Sequence, residues 1–145
     1  MLIQDFGVDC IAYNEAGMPL VLAEAKNKLG TTPEWAAGLR RNILSHRQLP
    51  VARYFLVITP EHIYLWVVQS GIGSNDLPHH VMDARVALRS YLKNLTLEPG
   101  YVGAEAFHMV AGAWLRDFSN GRGVDGWPPE FVADLRTSRV EINLT

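Results

Sequence analysis

A single cysteine, Cys10, leaves this chain without an internal disulfide and suits a reducing, cytoplasmic setting. Its place inside an apolar run marks it as a packed core thiol. No apolar run reaches the roughly 18 residues that span a bilayer, and no basic stretch followed by an apolar one opens the chain. Membrane insertion and a secretory leader are therefore not expected. Repeats and low-complexity linkers are also lacking, so the expectation is a single domain over 1–145. A net charge of −2 argues against a protein coated in nucleic acid. The adjacent His79 and His80 have no further His or Cys at ligand spacing and read as loop. Gly71-Ile72-Gly73 lacks a following helix with a phosphate motif, which removes a nucleotide-binding loop.

What is present is an ordinary globular composition, 48% apolar and 19% charged over 145 residues. The basic residues are unevenly placed. Lys26, Lys28, Arg40, Arg41, Arg47 and Arg53 face one acid, Glu34, in the same stretch. That stretch reads as a locally basic surface or as a solvated helix face.

The most informative segment is the pair of runs FGVDCIAY (6–13) and MPLVLAEAK (18–26), joined by the turn formers Asn14-Glu15-Ala16-Gly17. They read as a β-hairpin. With Tyr13 opposite Met18, Asp9 falls opposite Leu22 and Glu24 is its diagonal neighbour about 7 Å away on the same face. Lys26 shares that face, because side chains alternate along a strand. A slip of one residue would send Asp9 to the other side. The opposite face, with Val8, Cys10, Ala12, Val21, Ala23 and Ala25, is small and apolar and suits close contact with a helix. Ile11, Tyr13, Leu20 and Leu22 flank the acidic residues, so both faces are buried.

Two carboxylates and a lysine are the minimum set for metal-assisted cleavage of a phosphodiester. A divalent ion lowers the pKa of water and offsets charge in the transition state. Mg²⁺ takes oxygen ligands and keeps several waters. On spacing alone, the trio reads equally as such a site or as a structural salt bridge at a strand end.

Downstream, Thr31-Thr32-Pro33-Glu34 opens a helix with Thr31 as cap, running to about His46. Trp35, Ala36, Leu39 and Ile43 form its apolar stripe. Arg40 flanks that stripe and is expected to reach back toward the site; Arg41 points to solvent or phosphate. His46 is a helix-end cation. YFLVIT (54–59) and HIYLWVV (62–68) are strands around a turn at Pro60-Glu61. Asp83 caps a helix from about Ala84 to Leu95. Another runs from about Ala104 to Phe118, with Phe107, Val110, Ala111, Trp114 and Leu115 on one side. Pro128-Pro129-Glu130 starts a short helix to about Arg136, and VEINL (140–144) reads as a closing strand.

A hairpin carrying Asp9, then Glu24-Ala25-Lys26, Asn27-Lys28 and a helix, resembles the PD-(D/E)xK nuclease superfamily of restriction-endonuclease-like fold. The run EAKNKLGTTPEWAAGLRRNILSH followed by YFLVITPEHIYLW is similar to small bacterial members. The likeness covers about 3–68. It implies an α/β fold with a mixed central sheet flanked by helices, the helical C-terminal half (79–145) packing on it as an extension. The superfamily core runs helix, three strands, helix, strand. Almost nothing precedes the Asp9 strand, so the first core helix is missing by this reading. A truncated start, replacement by the C-terminal half, and a domain without activity remain as explanations.

The resemblance further implies Asp9, Glu24 and Lys26 as catalytic residues. The metal ligands would be Asp9, Glu24 and the backbone carbonyl of Ala25, with Mg²⁺ as cofactor and Mn²⁺ as substitute. Lys26, beside two carboxylates, stays charged and serves orientation and charge stabilisation rather than acting as a free base. Lys28, Arg40 and Arg41 are candidate nucleic-acid contacts. DNA is the expected partner, RNA an open alternative, and a homodimer would be needed for double-strand cutting. A catalytically inactive domain that binds nucleic acid or a protein is the competing reading.

Overall fold

The computed structural model describes residues 7–69, 72–93 and 103–143. The expectations placed on residues 3–6, 70–71, 94–95 and 144 lie outside the described residues. Strands β1 (Cys10–Tyr13), β2 (Pro19–Ala25), β3 (Tyr54–Ile58), β4 (His62–Val67), β5 (His80–Asp83) and β6 (Arg139–Ile142) form one sheet in the order β5-β4-β3-β2-β1-β6. Only β2 and β3 run parallel; every other neighbour is antiparallel. The fold is thus α/β with a mixed sheet.

The parallel pair needs a crossover, and α1 (Pro33–His46) supplies it. Its cap is Thr32, whose Oγ1 accepts from Trp35 N–H at 3.1 Å, one residue later than expected. Thr31 instead hydrogen-bonds the Tyr64 hydroxyl in the interior at 2.8 Å. Ala36 and Ile43 of the expected stripe are buried, with Trp35 and Leu39 partly so, against Ile11, Tyr13, Leu22, Phe55, Val57, Tyr64 and Trp66.

The other sheet face is covered by α4 (Ala104–Ser119) and α5 (Pro129–Leu135), with Leu88 between the short helices α2 (Ala84–Ala87) and α3 (Arg89–Lys93). Phe107, Val110, Ala111, Trp114 and Leu115 all point inward, as their spacing predicts, onto Cys10, Ala12, Ala23 and Ala25. These small strand residues let the helix approach closely, and burial of each large side chain contributes about 1.5–3 kcal/mol. Asp83 caps α2, its carboxylate accepting from Arg85 N–H, but the expected long helix is broken at Leu88.

Two expectations need correction. His80 is not loop: it opens edge strand β5, while His79 Nδ1 accepts from Val67 N–H at 2.9 Å. The C-terminal half, read as mainly helical, adds this edge strand as well as the closing strand expected at 140–144, which forms as β6 beside β1. Short exposed strands carry weak periodicity and are selected by the free backbone edge they meet.

The hairpin register also differs. Ala12 pairs with Val21 but Tyr13 pairs with Pro19, so Leu20 is an extra residue in a bulge. Leu20 is turned to the α4 side, and Val8 packs instead with the α1 side. Ile11, not Asp9, lies opposite Leu22.

Candidate active site

The turn, which pairs Asn14 with Met18, and the one-residue bulge at Leu20 each shift the register by one, and the sum of two preserves facing. Asp9 stands one residue before the Cys10–Ala23 pair and so adjoins Glu24 rather than lying opposite Leu22. Asp9 is fixed at the backbone on both sides: its N–H donates to Ala23 O at 3.1 Å and its carbonyl accepts from Asn143 N–H at 2.8 Å. Its Oδ2 accepts from Ala25 N–H at 2.8 Å. In an extended strand the N–H and C=O of one residue point to the same side, which directs the Ala25 carbonyl toward Asp9 as well.

Glu24 stands near the end of β2 with its side chain only 4% exposed. Oε2 lies 3.3 Å from Arg47 Nη1 and 3.9 Å from Lys26 Nζ. Oε1 is buried and meets no donor among the described residues. Burial pushes the Glu24 carboxyl up to about 7, the Asp9 charge raising it further while Arg47 and Lys26 pull the other way. Two adjoining carboxyls, one with a bare buried oxygen, call for a proton or a cation between them.

Lys26 is anchored by its N–H to Ile58 O at 2.9 Å, and its side chain is part-exposed beside Glu24. Lys28 follows on the exposed rim, its N–H donating to Lys26 O. Asp9, Glu24, Ala25 and Lys26 thus meet at one end of the β1–β2 pair, as their spacing predicts.

Arg40 and Arg41 do not join them. Arg40 is buried, its guanidinium 5.8 Å from the Phe55 ring centre and 5.6 Å from that of Trp66, and Nη1 donates to Gly73 O. Phe55 pairs with Leu22, three residues before Ala25, so Arg40 lies ~10 Å back along the strands. Burial lowers its pKa, with Asp76 opposing. Arg41 donates to Asn75 Oδ1 at 3.0 Å. Both arginines fasten the loop after β4. Arg53 is likewise engaged, by Glu130 and Asp134 at 3.2 Å each. Flank position on a helix does not say which end of the sheet a long side chain serves.

Two other residues reach the site instead. Arg47, the residue that ends α1, donates through Nη1 to Gly7 O and to Glu24 Oε2. His108, on α4, brings Nδ1 to 3.5 Å from Asp9 Oδ1. Arg47 belongs to the basic run already noted in the sequence. His108 sits one residue off the apolar stripe and gives no local signal, because only the crossing of α4 over β1 brings it to Asp9.

A hydrated Mg²⁺ or Mn²⁺ fits this donor set: two carboxylates, one with an orphaned oxygen, and a backbone carbonyl, the remaining positions being water. Among the described residues no group of three or more His, Cys, Asp and Glu side chains is gathered for a metal, so a site closed by side chains alone, as for structural zinc, is not formed. Among the described residues no helix is long and apolar enough to cross a membrane. Comparison with protein-family models, curated proteins and solved structures finds no match to this chain.

Proposed function

We propose that the protein is a divalent-metal-dependent phosphodiesterase of the PD-(D/E)xK type, with a restriction-endonuclease-like core, acting on DNA. The observation that carries this reading is the Asp9–Glu24 carboxylate pair with its buried, unpartnered Glu24 Oε1. Asp9, Glu24 and the Ala25 carbonyl would hold Mg²⁺ or Mn²⁺, which would supply positive charge at the scissile phosphate and acidify water. Lys26, beside Glu24 Oε2, would orient the attacking water and offset charge developing on the phosphoryl oxygens. Lys28 extends the positive rim along the backbone of the nucleic acid. Arg40 and Arg41 are not part of this machinery. Cutting both strands with so small a site requires two copies.

One observation favours a second reading, a nuclease-like module that binds without cleaving. Arg47 and Lys26 already neutralise Glu24, which is what a structural salt-bridge cluster would do. The deciding experiment is cleavage of plasmid and single-stranded DNA with Mg²⁺ or Mn²⁺, wild type beside Asp9→Ala and Lys26→Ala. Metal-dependent cutting lost in both variants is expected. No cutting, or equal cutting by all three proteins, selects the binding module.

A further inference from the structure

The geometry points to an exchange at Arg47: it holds Glu24 Oε2 as an internal counter-ion while no cation is bound, and turns to a backbone phosphate of the nucleic acid once a divalent cation takes that oxygen. The inference rests on the reading of Asp9 and Glu24 as metal ligands.

Charge balance is the first argument. With both carboxyls ionised, Asp9 and Glu24 carry two negative charges against Lys26 and Arg47, so this group of four is neutral without a metal. A dication leaves it two charges positive. The nearest compensation is a phosphodiester, and the guanidinium fork matches phosphate oxygens two at a time.

Arg47 holds Glu24 loosely. Their contact is 3.3 Å, longer than the 2.7–2.9 Å usual for charge-assisted bonds, whereas the same Nη1 donates to Gly7 O at 2.5 Å, so the guanidinium is anchored at Gly7 and not at the carboxylate. Nε and Nη2 have no hydrogen-bond partner among the described residues. The side chain is 34% exposed, whereas Glu24 is 4% exposed. Arg47 has left the helix, with φ −130° and ψ 145°, so its side chain can swing without disturbing α1. Lys26 and Lys28 stand on the same rim, which gives a displaced guanidinium an anionic polymer to meet rather than open water.

The test separates metal from substrate. Mn²⁺ alone is titrated by calorimetry into wild type, Arg47→Ala, Arg47→Met and Asp9→Ala. The Met variant keeps an unbranched stem against Gly7 and guards against local unfolding. Both Arg47 variants are expected to bind Mn²⁺ about threefold to tenfold tighter than wild type, since a competing ion pair is gone, and Asp9→Ala to lose binding. With Mn²⁺ present, both Arg47 variants are expected to cut DNA about tenfold less efficiently and to show a salt dependence of DNA binding lower by about one ion. Mn²⁺ affinity unchanged or weakened in both Arg47 variants, or no Mn²⁺ binding by wild type, overturns the exchange. Tighter Mn²⁺ with an unchanged salt slope overturns the phosphate half. Wild type that binds Mn²⁺ at Asp9 but cuts nothing sinks the nuclease reading alone, and the exchange is then decided by Mn²⁺ affinity and the salt slope.

Discussion

Asp9, one residue before the Cys10–Ala23 pair, adjoins Glu24, and the bulge at Leu20, two residues beyond Leu22 toward the turn, supplies half of the register shift that brings it there. Without it the Tyr13–Pro19 register would run on to place Asp9 opposite Ala23, on the other face from Glu24. Burial first, and then the adjoining Asp9 charge, raises Glu24 from 4.5 to about 7.

The linkage sign follows. A carboxyl with a raised folded-state pKa keeps its proton while the unfolded chain releases one, so stability falls as pH rises between about 4.5 and 7. The loss is on the order of 3–4 kcal/mol, since each pKa unit is about 1.4 kcal/mol. Glu24→Gln is expected to flatten this slope and to be at least as stable as wild type at pH 8. Melting temperatures at pH 5 and pH 8 in metal-free buffer check it; parallel slopes for the two proteins would refute it.

Cys10 lies under α4, and burial, followed by the Asp9 charge, pushes its thiol up to about 12. At pH 8 the folded protein is expected to be inert to a thiol-reactive chromogen and to react fully once unfolded in guanidinium. Rapid labelling of the native protein would place the thiol outside the core.

Arg40 distinguishes a structural arginine from a site arginine. Its stacking on Phe55 and Trp66 and its bond to Gly73 O make Arg40→Ala destabilising by about 2 kcal/mol. Arg40→Met, which keeps the stem, is expected to lose less. Cleavage per folded molecule should match wild type in both, measured beside urea unfolding. A selective loss of cutting by stable Arg40→Met would bring this residue back to the site.

Gly112 lets α4 sit directly on β6. An added Cβ would lie 2.7 Å from Ile142 Cδ1 and 2.8 Å from Cγ1. Gly112→Ala gains about 1 kcal/mol of helix propensity but overpacks by about 1–3 kcal/mol. Net destabilisation is expected in wild type and net stabilisation in an Ile142→Ala background. Denaturant unfolding of the four proteins gives the coupling, and additive effects would mean that the helix does not rest on Ile142.

Much of this was legible in the chain. The continuous apolar runs at 54–58 and 62–67, the helix start around Thr31-Thr32-Pro33, though not which threonine caps it, and the inward stripe of α4 are local patterns. So is the convergence of Asp9, Glu24 and Lys26, because a side-chain period of two survives any even register shift. What only the tertiary structure decided is what crosses between distant segments. The bulge follows from how β1 and β2 settle against their neighbours. Strand β5, unlike the closing strand β6, exists because a sheet edge offers it unpaired backbone. Arg40 goes to Trp66 and Arg47 to Glu24 because a helix crossing angle, which no run of residues encodes by itself, sets the sheet end each long side chain can reach. The acidic pair was therefore written in the sequence, while its cationic partners were chosen by packing.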